Sequence, residues 1–101
     1  MFWRTGHYAV AAEHGSQDFK HSRAHNTILA DGIGQICDVS GYGWIPRFVT
    51  GKNIAYALGD ASHAYTKGKD APASYTEPGV TRFRRHIVRL RPYYVLIYDE
   101  L

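Results

Sequence analysis

The sequence predicts an all-β chain folded as an antiparallel β-sandwich, or as a fragment of a larger one. Three observations carry this. No stretch of ten or more residues shows the period of an amphipathic helix. At least five short runs rich in Val, Ile, Tyr, Phe and Trp follow one another closely, punctuated by Gly, Pro, Asn and Asp. Asp31-Gly32 is a two-residue turn signal, because the favoured hairpin turn needs positive φ at both central positions.

Residues 1 to 24 carry no clear strand or helix. His7, His14 and His21 fall seven apart, a helical spacing. Gly6, Gly15 and Ser16 interrupt any helix through them, so the spacing is read as coincidence. Asn26 to Val39 then forms a hairpin about Asp31-Gly32. Ser40 to Gly43 is a loop and Trp44 to Val49 a short strand, which Pro46 confines to an edge or an irregular stretch. Thr50 to Asn53 turns the chain into a strand over Ile54 to Leu58, followed by Gly59-Asp60-Ala61-Ser62-His63-Ala64-Tyr65. Lys67 to Gly79 has no apolar period and is a long surface loop. Val80 to Leu90 is a long strand, Arg91-Pro92 a turn, and Tyr93 to Tyr98 a final strand. That last strand is apolar on both faces, which predicts a place inside a sheet or between layers.

The bulk numbers describe one domain or a piece of one, spanning all 101 residues. Apolar residues make up 45% and aromatics 14% of the chain, ample for a packed core and too many for disorder. A formal charge of +3 favours an anionic partner, and five of the twelve basic residues are arginines between Arg82 and Arg91. The single cysteine, Cys37, excludes an internal disulfide and a cysteine-based zinc cluster, and its apolar strand implies a buried, inert thiol. No apolar run approaches the length of a membrane span, and the N-terminus lacks a signal-peptide layout. The abrupt start at Met1-Phe2-Trp3 and the strand ending at Leu101 predict a piece of a longer chain.

Counting outward from the Asp31-Gly32 turn puts His25 opposite Asp38. An imidazole and a carboxylate so placed suit tautomer fixation or shared metal ligation, or simply a local hydrogen bond. His21 and His25 would lie about 13 Å apart in an extended strand, too far to share an ion. His86 alternates with Arg85 and Ile87 in its strand and is expected to be structural or solvated. Period-two alternation divides the arginines, with Arg82 and Arg84 on one face and Arg85, Arg89 and Arg91 on the other. They make no single stripe for a phosphate backbone, and the aromatic motif of RNA-recognition modules is absent. Sugars and uronates suit the arginines better, because guanidinium grips carboxylates bidentately. Phosphate loops, nucleophile elbows and zinc-protease motifs are also absent.

Three stretches together point to a family. Arg23-Ala24-His25-Asn26-Thr27-Ile28-Leu29-Ala30-Asp31-Gly32, with Gly34-Gln35, resembles the "AHNT-apolar-DG-GQ" hairpin of the heparinase II/III-like polysaccharide lyases, which include the oligoalginate lyases. Tyr56 to Tyr65 is similar to their "GDAS-x-AY" segment. Val80 to His86, with Leu90 to Leu101, is similar to their "RFRRH…LRP-x-x-VV-x-D-x-L" strands. Order and spacing match over residues 23 to 101.

The resemblance implies a large enzyme in which an α/α toroid, carrying most of the active site, precedes β-sandwich layers. This chain would be part of the sandwich. Such enzymes cleave uronate-containing polysaccharides, heparin/heparan-like or alginate-like, by β-elimination, in the periplasm or outside the cell. The toroid and its catalytic residues are missing, so no catalytic residue is assigned and the chain alone is expected to be inactive. His7, Tyr8 and Tyr42 have suitable chemistry but no motif match. His25 matches a histidine that ligates a structural Zn2+ in some members, with the remaining ligands upstream of this chain. Asp38 as its neighbour comes from the hairpin count alone. The alternatives are a non-catalytic carbohydrate-binding or structural sandwich and, more distantly, a basic nucleic-acid binder.

Overall fold

The computed structural model describes residues 21–36, 40–69, 71 and 73–101. These residues form one four-stranded antiparallel sheet and two single 3-10 turns, the all-β class the sequence predicts. The strands are β1 (Trp44–Thr50), β2 (Ile54–Asp60), β3 (Arg84–Leu90) and β4 (Tyr94–Glu100), in the spatial order β1-β2-β3-β4. The sheet has the arrangement of one layer of a sandwich.

Local sequence explains most of this. β1 is an edge strand whose register shifts between Trp44 and Arg47, the interval holding Pro46. Proline has no N–H for the ladder, so the strand bulges there, and among the described residues no strand pairs with its outer side. At Gly51 the backbone N–H donates to Ile54 O at 2.7 Å and closes the β1–β2 hairpin. The Arg91-Pro92-Tyr93 connection closes β3 on β4, with Leu90 opposite Tyr94.

Four expectations need correction. The third strand starts at Arg84, not Val80, because Phe83 turns both backbone groups toward Ala61 and Ser62. Its N–H donates to Ser62 Oγ at 3.0 Å and its carbonyl accepts from Ala61 N–H at 2.9 Å. The Asp31-Gly32 turn forms, with φ of 51° and 77° and reciprocal bonds between Ala30 and Ile33 of 3.0 and 2.9 Å. Glycine at the second position takes that φ without the clash of a Cβ. Yet among the described residues Ala30–Ile33 is the one bridge of this hairpin. The next residues bond elsewhere: Gln35 N–H donates to Ser22 Oγ at 2.7 Å, and Ile36 N–H to Ala64 O at 2.8 Å. Over residues 26–36 the ladder is therefore replaced by a short turn laid against its neighbours, and residues 37–39 lie outside the described residues.

His21 and His25 do not sit in an extended strand either. They flank the 3-10 turn Ser22–Ala24, where His21 Nδ1 accepts the Arg23 N–H at 3.1 Å. The separation argued from strand rise does not apply. Finally, among the described residues β4 lies at the edge of the sheet and not inside it, with Tyr94, Leu96 and Tyr98 exposed on one face and Val95 on the other. Its double-sided apolarity records a preference for cover that the described residues do not supply.

The core lies at one end of the sheet. Ala64, Tyr65 and Phe83 are buried there, with Ile28, Ala61 and Val80 packed around them. Tyr65 is only 1% exposed and meets Phe83 edge-on, ring centroids 5.7 Å apart at 83°. Edge-to-face contact sets the positive ring edge against the negative face. The 67–79 segment is irregular over its described residues and is tied down by Tyr75, whose hydroxyl lies 3.2 Å from Gly34 O and 3.3 Å from Tyr65 O.

Candidate functional site

An open cleft of about 340 Å³ lies where β1 begins and β2 ends, beside this core. It is lined by Asn26, Thr27 and Gln35, by Trp44 and Ile45, and by Phe83 and Arg85. Four segments distant in the sequence meet here, the fourth being Gly59 to Ala61 at the end of β2.

The first tie is a directed chain of hydrogen bonds. Tyr65 Oη donates to Ile28 O at 2.9 Å, so its oxygen receives the Thr27 hydroxyl, also at 2.9 Å. Thr27 Oγ1 in turn accepts from Gln35 Nε2 at 3.2 Å. Each hydroxyl has one proton, so the Tyr65–Ile28 bond fixes the direction of the rest. This positions the Thr27 hydroxyl and the Gln35 amide at the cleft wall.

The second tie is Asp60, a carboxylate only 5% exposed. Its Oδ1 accepts from Ser62 N–H at 3.1 Å and Ser62 O–H at 2.7 Å, and its Oδ2 from Arg84 Nε at 2.8 Å. Burial is the largest single influence and pushes this carboxyl up. The Arg84 and Ser62 hydrogen bonds and the Arg84 charge outweigh it together and hold the pKa at about 2. Asp60 is thus a fixed anion that braces the end of β2, and not a proton donor.

The third tie is Arg85. Its Nε and Nη2 grip Asp99 Oδ1 and Oδ2 at 2.7 Å each, and Nη1 donates to Asn26 O. The hydrogen bond from Arg85 holds the Asp99 carboxyl below the ordinary range. Among the described residues three of the five guanidinium N–H groups are committed in this way, and two have no acceptor there. Arg82 pairs with Glu100 at 2.6 Å. The division of the arginines holds for the three whose partners are named: Arg84 and Arg85 project from opposite faces, each toward its own carboxylate.

On the rim of the cleft three rings gather. Tyr42 stacks on His63 with centroids 4.9 Å apart and planes at 9°, and Trp44 lies 5.8 Å from Tyr42 and 5.6 Å from His63. On the sheet face that carries Asp60 and Arg84, Tyr56 Oη and His86 Nδ1 are 2.9 Å apart, and His86 Nε2 lies 3.7 Å from Glu100. His86 is thus a partnered strand histidine, in keeping with the structural role expected for it.

His25 caps the Ser22–Ala24 turn, donating its N–H to Ser22 O at 3.0 Å, next to the cleft residue Asn26. Asp38, Cys37, His7 and Tyr8 lie outside the described residues. Among those described, no three His, Cys, Asp or Glu side chains come together as a metal site. The described residues do not by themselves make up a zinc site.

Sequence reasoning missed the acidic partners and the aromatic rim. One was within reach: counting outward from Leu90 and Tyr94 pairs Arg85 with Asp99, as it does in the structure. The rim joins a loop, a strand start and a 3-10 turn, and no spacing rule links these. No protein-family model, curated protein or solved structure matches the chain.

Proposed function

We infer that this chain is the β-sandwich portion of a polysaccharide lyase that cleaves uronate-containing acidic polymers by β-elimination. The observation that carries the reading is the convergence at one cleft. The His25–Gln35, Asp60–Tyr65 and Phe83–Arg85 stretches, each similar to the heparinase II/III-like lyases in sequence, lock together there through Tyr65, Asp60 and Arg85. The lining suits a hydroxyl-rich ligand: two amides, a threonine hydroxyl, a tryptophan and a guanidinium with N–H groups to spare.

In this reading the chain holds sugar and the toroid performs the chemistry. β-Elimination needs a base for the proton α to the uronate carboxylate, a clamp on that carboxylate, and an acid at the leaving oxygen. Among the described residues that line the cleft, Arg85 is the cation able to contribute to a clamp. No base or acid is assigned here, so the chain alone is inactive. His25 supplies one ligand to a structural zinc completed by residues upstream, and no step of the reaction runs through that ion. The periplasm or the extracellular space is where such a polymer is met.

A second reading is favoured by one specific observation. The charges around the cleft cancel pairwise, Arg85 with Asp99 and Arg84 with Asp60. That balance suits neutral sugar hydroxyls at least as well as uronates, and supports a non-catalytic carbohydrate-binding module. The same pairing weakens the nucleic-acid alternative, since phosphate tracking needs uncommitted cations.

Calorimetric titration of the chain with oligoalginate and heparin-derived tetrasaccharides tests both readings. Binding of a uronate oligosaccharide without formation of unsaturated product supports the first. Binding of cellotetraose in preference to both favours the second, and absence of all binding removes both.

A further inference from the structure

We propose that Tyr42, Trp44 and His63 form a stacking subsite that receives the face of one pyranose ring at the mouth of the cleft. The proposal rests on the saccharide reading above and assigns it a contact point.

The rings are exposed where burial was available to other aromatics of the chain. Tyr42 is 54% and Trp44 42% accessible, whereas Tyr65 and Phe83 nearby are buried. Exposed aromatic clusters at a cleft mark places where something binds. The three rings come from different elements and are fixed independently. Trp44 is paired opposite Asp60 in the sheet. His63 sits in the 3-10 turn Ser62–Tyr65, which Asp60 anchors through Ser62. Between Tyr42 and Trp44, Gly43 lies so close to β2 that a Cβ there would stand 3.0 Å from Asp60 O. The loop carrying Tyr42 is therefore drawn against the same strand end, and little ordering remains for a ligand to impose.

The ligand class follows from what adjoins the rings. A purely apolar partner would cover the Asn26 amide at the cleft wall and give it no hydrogen bond. A pyranose presents an apolar C–H face to an aromatic plane and a rim of hydroxyls to amide and hydroxyl side chains. Trp44 belongs to both surfaces, since it touches Tyr42 and lines the cleft. A sugar ring over Trp44 would stack on the rim and direct its hydroxyls toward Asn26 and Gln35.

The test is calorimetry of the whole chain with the oligoalginate tetrasaccharide and cellotetraose, comparing Tyr42→Ala, Trp44→Ala, Trp44→Phe and His63→Ala. Removing one stacking ring should weaken binding about tenfold, the loss of roughly one aromatic contact. Trp44→Phe keeps a flat face and should stay within about threefold of the parent. Each variant is checked by its thermal melt, and the exposed Tyr42 and His63 serve if Trp44→Ala does not fold. Folded variants that bind as tightly as the parent overturn the subsite and leave the cleft reading standing, which Asn26→Ala and Gln35→Ala then address. A parent chain that binds neither sugar overturns both. Tighter binding of single-stranded oligonucleotide than of either sugar overturns the ligand class.

Discussion

Arg85 and Asp99 face each other across β3 and β4 and share two hydrogen bonds of 2.7 Å, while the same guanidinium reaches the carbonyl of Asn26. One side chain thus joins the sheet to the turn region that builds the cleft. The pair also decides how much positive charge the cleft presents, because each partner is about a quarter exposed and largely cancels the other.

Replacing Asp99 therefore has two effects of opposite sign. Asp99→Asn keeps the shape, removes the charge and should cost about 1 kcal/mol of stability, typical of a partly exposed bidentate pair. It also frees the Arg85 charge, so a uronate tetrasaccharide should bind more tightly than to the parent while cellotetraose is unaffected. Urea melts and calorimetry on the same variant check both. Unchanged uronate affinity would remove Arg85 from the recognition of carboxylates.

Asp60 predicts acid sensitivity. Its carboxyl titrates at about 2 in the folded chain against an ordinary value of 3.8. A folded pKa below the unfolded one means that the stabilisation is complete above pH about 4 and is lost as pH falls toward 2. The lowered carboxyls of Asp99 and Glu100, held by Arg85 and Arg82, act in the same direction. The urea midpoint should be level above pH about 4 and drop steeply below it. In Asp60→Asn the drop should be shallower and the plateau lower. An identical profile in parent and variant would show that Asp60 contributes no pH-dependent stability.

Tyr65 makes a sharper structural prediction. Tyr65→Phe preserves the buried ring but deprives Ile28 O of its donor and the Thr27 hydroxyl of its acceptor. Leaving such groups unpaired costs about 2 kcal/mol. Because Thr27 is then free to rotate, sugar affinity should fall as well. Thermal melts measure the first effect and calorimetry the second.

The Asp31-Gly32 turn separates backbone strain from packing. A Cβ at Gly32 would meet no atom within 4 Å, yet the residue has a φ of 77°. Gly32→Ala should cost about 1 kcal/mol through conformation alone, and Gly32→Asn less, because asparagine tolerates this region. Equal melting of the alanine variant and the parent would mean that the turn is not formed in solution.

His25 is tested in the complete protein. If it is a zinc ligand, His25→Ala lowers the zinc content found by elemental analysis, and unchanged content removes that role.

Particular elements show what could be read without coordinates. The edge position of β1 was legible because Pro46 lacks an N–H, a property of one residue. The turn at Asp31-Gly32 was legible for the same kind of reason, as was the alternation of Arg84 and Arg85 between faces. The His25–Asp38 pairing rested on the turn continuing into a ladder. Over the described residues the ladder stops at Ala30–Ile33, since Ser22 and Ala64 accept the N–H groups of Gln35 and Ile36, and Asp38 itself lies outside those residues. Nothing near Gln35 or Ile36 in sequence announces those partners. β4 misled in another way, because an apolar strand records what it favours and not what is present to cover it.

The sequence by itself determined the all-β class, the approximate places of β1 to β4 and the Asp31-Gly32 turn, because propensity, period and φ restrictions act over a few residues. It did not determine where β3 begins or that the turn carries no ladder over the described residues. The tertiary structure alone decided that Ile28, Tyr65 and Phe83 share one core, that Asp60 and Asp99 neutralise two arginines, and that Tyr42, Trp44 and His63 form one rim. These depend on which surfaces bury each other, and that choice is made by long-range packing and by the need of every buried polar group for a partner.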